Sequence, residues 1–447
     1  MTLAAGTLPD SFVHALVALG LLLAAGALIA GLARRTFVSL TALFVVAGVV
    51  LGDVGLGFLE FDPESTFVEE LAILALVLIL FADGLKVDEE MLRGAWRLPA
   101  RKLLIAMPIT GGLAAVAAHL VTDLSWTESA LIGALLAPTD PVLSSSVVGD
   151  KRVPREIRHS LNLESGLNDG LALPAVITLL AALGFGIEDD FVWWEFVLQD
   201  VMLGLATGLV VAWAASHVDR LVKPLLSGHD EMPDHEKSLY ALGAAFTAYG
   251  VASLPPEGNG LIAVFVCAIA LGILRPDLRD SFVLISGDDL TQIVKLGVFV
   301  VFGATLTTSG FDEAGLAGLV VAAVTFFVAR PIGVMLGTIG SRQNMATRLF
   351  LSWFGPKGVA TMSFALLVLA SGVQNSEKIF HIAALAVFAS ILLHGLTDTP
   401  GARWIAERTP DAPGDEDDDE PIDAELRLRQ RQQGASARVP VPERHMG

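Results

Sequence analysis

Apolar residues run along this chain in stretches of roughly 20, the length a helix needs to cross a bilayer, with short polar connections between them. Thirteen such stretches are predicted, at about 11–33, 37–54, 67–85, 100–121, 127–148, 156–183, 191–216, 237–254, 259–274, 285–306, 314–338, 346–370 and 378–397. The pattern predicts an all-α polytopic membrane protein. No basic residue precedes the first stretch, so it reads as an ordinary spanning helix and not as a cleaved leader.

The connections alternate in charge. Basic residues fall on every second loop: Arg34-Arg35; Lys86, Arg93, Arg97, Arg101 and Lys102; Lys151, Arg152, Arg155 and Arg158; Arg220, Lys223 and Lys237; Arg275 and Arg279; Arg342 and Arg348; Arg403 and Arg408. The loops between them are acidic or neutral, as in Glu188-Asp189-Asp190 and Asp312-Glu313, and only Lys378 breaks the series. By the positive-inside rule residues 1–10 lie outside the cell membrane and the C-terminus in the cytoplasm, which requires an odd number of spans.

Composition agrees with this class. The chain is 53% hydrophobic and 17% charged, against about 25% charged in soluble domains. Cys267 is the only cysteine, which excludes an intrachain disulfide and a cysteine-cluster metal site. It lies in an apolar run and reads as packing. Much of the formal charge of -19 sits in residues 399–447, where Asp415-Glu416-Asp417-Asp418-Asp419-Glu420 precedes Arg427, Arg429 and Arg431. Too few apolar residues there offset the ordering entropy. A largely disordered cytoplasmic tail is expected, its partner, if any, unspecified; no nucleic-acid partner is expected.

Polar centres inside the spans narrow the function. The sixth span contains Glu164-Ser165-Gly166-Leu167-Asn168-Asp169-Gly170, and the fifth contains Ala137-Pro138-Thr139-Asp140-Pro141. One charge at the bilayer centre costs about 2.5–3.5 kcal/mol on insertion scales and marks an ion path, a proton relay or a catalytic site. Prolines interrupt the fifth span, and Gly355-Pro356-Lys357-Gly358 interrupts the twelfth. These breaks lie seven spans apart, an odd offset that gives two related halves opposite topology. Interrupted helices at matching positions of two halves point to a transport site near the midplane; taken singly, either break also fits an ordinary proline kink. Ser165 and Asp169 are four residues apart and share one helix face, and Glu164 and Asn168 share the next. Carboxylate, hydroxyl and carbonyl oxygens suit a hard cation.

These motifs resemble the NhaP-type sodium/proton antiporters, the first branch of the monovalent cation:proton antiporter superfamily. Besides the two runs above, Val328-Ala329-Arg330-Pro331 resembles the arginine-bearing part of that family's eleventh helix, and Trp353-Phe354-Gly355-Pro356-Lys357-Gly358 its second broken helix. The resemblance covers roughly residues 11–398. It implies an NhaA-like fold of about thirteen helices, with inverted repeats and two discontinuous helices that cross, and it implies a homodimer. An interface part of about 11–98 and 190–306 and an ion-binding core of about 99–185 and 312–398 are expected within a membrane domain of 11–398.

Carried over residue by residue, the resemblance makes Asp169 the carboxylate that exchanges a proton for a cation, with Ser165 and Thr139 completing a Na⁺ site. Asn168, Asp140 and Lys357 support the broken helices, and Glu164 pairs with Arg330. Asp83 answers to the family's acidic residue on the third helix, one position later than in relatives, where this chain has Ala82; an interfacial role for it stays open. A carboxylate in a low-dielectric cavity needs a counter-charge, so proton and cation exclude each other and only the neutralised forms cross. With Asn168 beside a single aspartate, the resemblance implies electroneutral one-for-one exchange of Na⁺, or K⁺ or Li⁺, for H⁺ without a cofactor.

Other classes fit less well. Asp140 and Asp169 mimic the aspartate pair of an intramembrane protease, but Asp140 is followed by a proline and Asn168 stands where such enzymes place glycine. His235-Glu236 continues Lys237-Ser238-Leu239, so no His-Glu-x-x-His motif occurs and no enzyme is expected. A sodium-coupled symporter on the same scaffold is the remaining alternative. His14, His159, His381 and His394 read as satisfied or solvated side chains, and Lys295 either snorkels or pairs with an acid.

Overall fold

The computed structural model describes Val17, Gly20, Leu21 and Ala24 and residues 40–59, 61, 66–87, 96–140, 153–184, 197–222, 232–255, 258–283, 287–341 and 343–409. Most of the first predicted span, residues 1–10, Pro141 with the rest of the fifth span, His14, the side chain of His159 and the acidic tail lie outside the described residues.

In chain order the helices are α1 (Leu40–Leu51), α2 (Thr66–Leu85), α3 (Arg97–Val121), α4 (Trp126–Leu136), α5 (Arg155–Ala182), α6 (Met202–Val222) and α7 (Asp234–Ala252). They continue as α8 (Gly260–Leu274), the short α9 (Pro276–Ser281), α10 (Gly287–Ala304), α11 (Thr308–Gly337), α12 (Met345–Trp353), α13 (Val359–Ala370) and α14 (Ser376–Arg408). No β-strand occurs among the described residues. Among the described residues five helices are long and apolar enough to cross a membrane whole: Arg97–Val121, Glu156–Ala182, Gln199–Val218, Thr308–Gly337 and Ser376–Arg408. The twelfth predicted span divides into α12 and α13, because Pro356 supplies no backbone donor and Phe354 takes an extended conformation at φ -77, ψ 90.

The helices pack in two groups. In one, α8 lies against α2, α6 and α7, and α10 lies against α1 and α2; in the other, α3 packs on α4 and α11, and α14 on α11 and α13. Helices α5 and α13 join them, since both touch α2 as well as α4.

Local sequence explains several starts and stops. Ser125 and Glu128 form a reciprocal capping box at the start of α4. Asn344 and Thr307 cap α12 and α11 through their side chains. Helix α11 is broken near its start at Gly315, whose φ of 44 only glycine adopts without strain.

Lys378, the residue that departs from the loop-charge series, pairs with Asp123 in the connection between α3 and α4. This ammonium holds the exposed Asp123 carboxyl below the usual carboxylate range. Next to it, Asn375 donates to Glu128 Oε1 at 2.6 Å. The two loops thus meet at one end of the bundle, and a local acid partner accounts for the stray lysine.

Helix α14 runs on through Pro400 to Arg408, past position 398. The extension is held by packing. Ala402 and Ile405 are buried in a cluster with Leu98, Phe350 and Phe354. A proline late in a long helix is tolerated where tertiary contacts outweigh the lost backbone bond.

Candidate functional site

Helix α4 ends at Leu136 and the chain is non-helical through Pro138, Thr139 and Asp140. Helix α12 ends at Trp353, and Phe354–Gly358 is likewise non-helical before α13 begins. These two non-helical segments face each other. The backbone N–H of Asp140 donates to the Pro356 carbonyl at 2.8 Å, and the N–H of Val359 donates to Asp140 Oδ2 at 3.0 Å. In the other direction the Lys357 ammonium donates to the carbonyl of Pro138 at 2.9 Å and of Ala137 at 3.4 Å. Each break therefore supplies what the other lacks: a carboxylate at the N-terminus of α13 and a cation at the C-terminus of α4, the signs that helix dipoles favour. The approach leaves no room at Gly358, where a Cβ would lie 2.2 Å from Asp140 Oδ2. Helix α14 braces the same segment, since Ser390 Oγ accepts from the Lys357 N–H at 2.7 Å and His394 Nε2 lies 3.0 Å from the Trp353 carbonyl.

Helix α5 brings its polar face to this junction. The Asn168 amide donates to the Thr139 carbonyl at 2.5 Å and to Thr139 Oγ1 at 3.0 Å. Both Thr139 oxygens keep a lone pair for another partner. One turn away, Glu164 Oε1 lies 3.4 Å from Arg330, and the same guanidinium donates to the carbonyls of Leu351 at 3.3 Å and Phe354 at 2.9 Å. Lys102 pairs with the other oxygen of Glu164. Gly355 is where α12's end meets Arg330: a Cβ there would sit 2.0 Å from the guanidinium.

A narrow crevice opens between these elements, walled by Thr139, Asp140, Glu164, Ser165 and Gly355 among others. Asp169 is not on its wall. It lies one turn further along α5, 6% exposed, and its Oδ1 and the Oδ1 of Asn168 are buried without a hydrogen-bond partner. Such a group is costly to leave unmet, and oxygens without donors suit a proton or a hard cation.

The structure thus brings together Thr139, Asp140, Glu164, Ser165, Asn168, Arg330 and Lys357, and buries Asp169 beside them. Asp83 stands apart from the crevice wall and pairs with Lys86 at 3.3 Å. Lys295 is buried. His381 is satisfied by the Thr307 N–H at 3.1 Å and the Glu377 carbonyl at 2.7 Å, as His394 is by Ser390 and Trp353. Lys102 was missed among the loop cations. The signal was thin: Lys102 closes the basic cluster that begins with Arg97, and nothing in the sequence separates it from its neighbour Arg101.

The fold and site together define a multi-pass helical membrane protein with paired charges buried in its core. Residues 21–404 match the family described as "Sodium/hydrogen exchanger, transmembrane", and the chain belongs to that family. It is 27% identical to the K(+)/H(+) antiporter NhaP of Alkalimonas amylolytica over 384 residues, 85% of this chain and 65% of that protein. The chain therefore spans slightly less than two thirds of that relative's length. It is 26% identical over 374 residues to Na(+)/H(+) antiporter 1 of Methanocaldococcus jannaschii, covering 81% of this chain and 84% of the relative. The solved structure of the sodium proton antiporter MjNhaP1 from Methanocaldococcus jannaschii at pH 8 superposes with a TM-score of 0.75 at 22% identity, over 89% of this chain and 99% of that one. The two share a fold.

Proposed function

We propose that this protein exchanges a monovalent cation, foremost Na⁺, for a proton across the cell membrane, one for one and without net charge. The observation that carries the reading is Asp169, a carboxylate buried on α5 with an oxygen that no donor among the described residues meets, next to two broken helices tied end to end. Proton and cation compete for this carboxylate. Ser165 and the free lone pairs of Thr139 complete the cation's oxygen shell, Asn168 fixes Thr139, and Asp140 and Lys357 neutralise the helix ends. Asp83 on α2 is a further oxygen ligand for the cation, with a purely interfacial role as its alternative. The exchange needs no cofactor.

In this reading the chain has thirteen spans arranged as inverted repeats, and the broken helices of the two repeats cross at the site. The N-terminus is outside and the C-terminus cytoplasmic, as the loop charges direct. A core of about residues 99–185 and 312–398 carries the ion past an interface part of about 11–98 and 190–306, which pairs two copies into a homodimer. Alternating access then moves the neutralised site from one side to the other.

K⁺ is the second reading, because a relative at 27% identity is named a K(+)/H(+) antiporter. The test is cation-driven proton movement in proteoliposomes, run separately with Na⁺, K⁺ and Li⁺ salts. Proton efflux on addition of one cation supports antiport and names its cargo. Proton movement with none of them, or cation uptake together with a second solute, overturns it in favour of a symporter.

A further inference from the structure

The Lys102 side chain has 0% exposure, and its ammonium pairs with one oxygen of Glu164 while Arg330 approaches the other at 3.4 Å. One cation neutralises one carboxylate. The second adds the cost of burying another charge in the membrane and is not needed to balance Glu164. Both cations stand at π turns: Lys102 opens the turn Lys102–Ala106 of α3, and Arg330 directly follows the turn Thr325–Ala329 of α11. Such a turn inserts a residue into the helical register, re-aims the side chains around it and is frequent at functional sites. The two helices touch closely here, since a Cβ on Gly333 would lie 2.5 Å from the Ala106 carbonyl. Glu164 precedes Ser165 in the chain, and both wall the crevice.

We propose that Lys102 is a positioning residue for the cation site: it holds one oxygen of Glu164 while Arg330 holds the other, and so fixes the wall of α5 that presents Ser165. The proposal rests on the antiport reading above. With Arg330 alone, Glu164 is drawn toward the guanidinium and the α12 carbonyls it binds. Lys102, reaching Glu164 from α3, opposes that pull and sets the position of the α5 turn between them.

The test measures apparent Na⁺ and K⁺ affinity of purified full-length protein from cation-dependent thermal stabilisation, which reports binding to the folded state. Half-saturating cation and maximal rate of exchange are measured in parallel. Groups that orient a metal's ligands are worth about 10–100-fold in affinity, so Lys102→Met is expected to weaken affinity by that range. Its maximal rate and cation-free melting temperature should stay near wild type, because Arg330 still neutralises Glu164. Lys102→Arg should recover most of the affinity. A structural role gives the opposite split, with less folded protein, a lower maximal rate and unchanged affinity in what folds, and that result overturns the proposal. Should Lys102→Met not fold, Lys102→Gln against Lys102→Arg makes the same comparison, and equal affinities overturn it. A wild type that binds cations without exchanging them refutes the antiport reading alone, while one that neither binds nor exchanges refutes both.

Discussion

The backbone N–H of Val359 donates to Asp140 Oδ2 at 3.0 Å, so the first free donor of α13 is met by a residue more than two hundred positions earlier in the chain. Gly358 makes that contact possible. Gly358→Ala is expected to force the two segments apart, since its Cβ would lie 2.2 Å from the carboxylate. Overpacking of this kind costs about 1–3 kcal/mol. A lower melting temperature with loss of exchange is the expected result, and a variant with wild-type melting and transport would show that the segments are not held at this distance.

Asp169→Asn should leave a folded protein and abolish exchange. An amide neither releases a proton nor balances a cation's charge. Cation-driven proton movement by this variant in proteoliposomes would place the exchanging group elsewhere.

Glu164 has two cationic partners, so the loss of either leaves it paired. Lys102→Met alone should change stability little. Arg330→Met also strands the carbonyls of Leu351 and Phe354, and should cost about 1–3 kcal/mol. Together they also leave a buried lone carboxylate, a further loss of about 3–5 kcal/mol beyond the stranded carbonyls. The double-mutant cycle should therefore show an unfavourable coupling above about 1 kcal/mol. Additive melting shifts across the cycle would mean that the three charges do not act as a unit.

If one carboxylate serves both ions, apparent cation affinity should fall by up to about tenfold per pH unit below the site's own titration point. Exchange should be bell-shaped in pH, and an imposed membrane potential of either sign should leave its rate unchanged. Voltage-dependent exchange would bring a second titrating group into each cycle, with Asp83 and Asp140 the first to examine.

The bilayer makes much of this fold readable from sequence, because a fixed thickness imposes a fixed length on every apolar stretch. The break between α12 and α13 was legible for a different reason: Gly355, Pro356 and Gly358 crowd into four positions of an otherwise apolar span. The pairing of Glu164 with Arg330 came from the family resemblance and not from spacing, since the residues are 166 positions apart. Lys102 stayed hidden because a π turn shifts the helical register without any marker in the residue types. The extension of α14 was masked by Pro400, while the contacts that hold it, Ala402 and Ile405 on Phe354, are made by residues far apart in the chain. Asp83 pairs at short range with Lys86, three residues on.

Asp140 and Lys357 serve each other's helices across 219 residues of chain, which imposes an order on biogenesis. At ordinary elongation rates of about 5–20 residues per second, the carbonyls at the end of α4 wait roughly 10–40 s for their lysine. During that interval Asp140 has no helix to cap. The first half of the chain is thus made before the lysine and the α13 donor that meet it exist, and the junction between the two breaks closes only when the second half arrives.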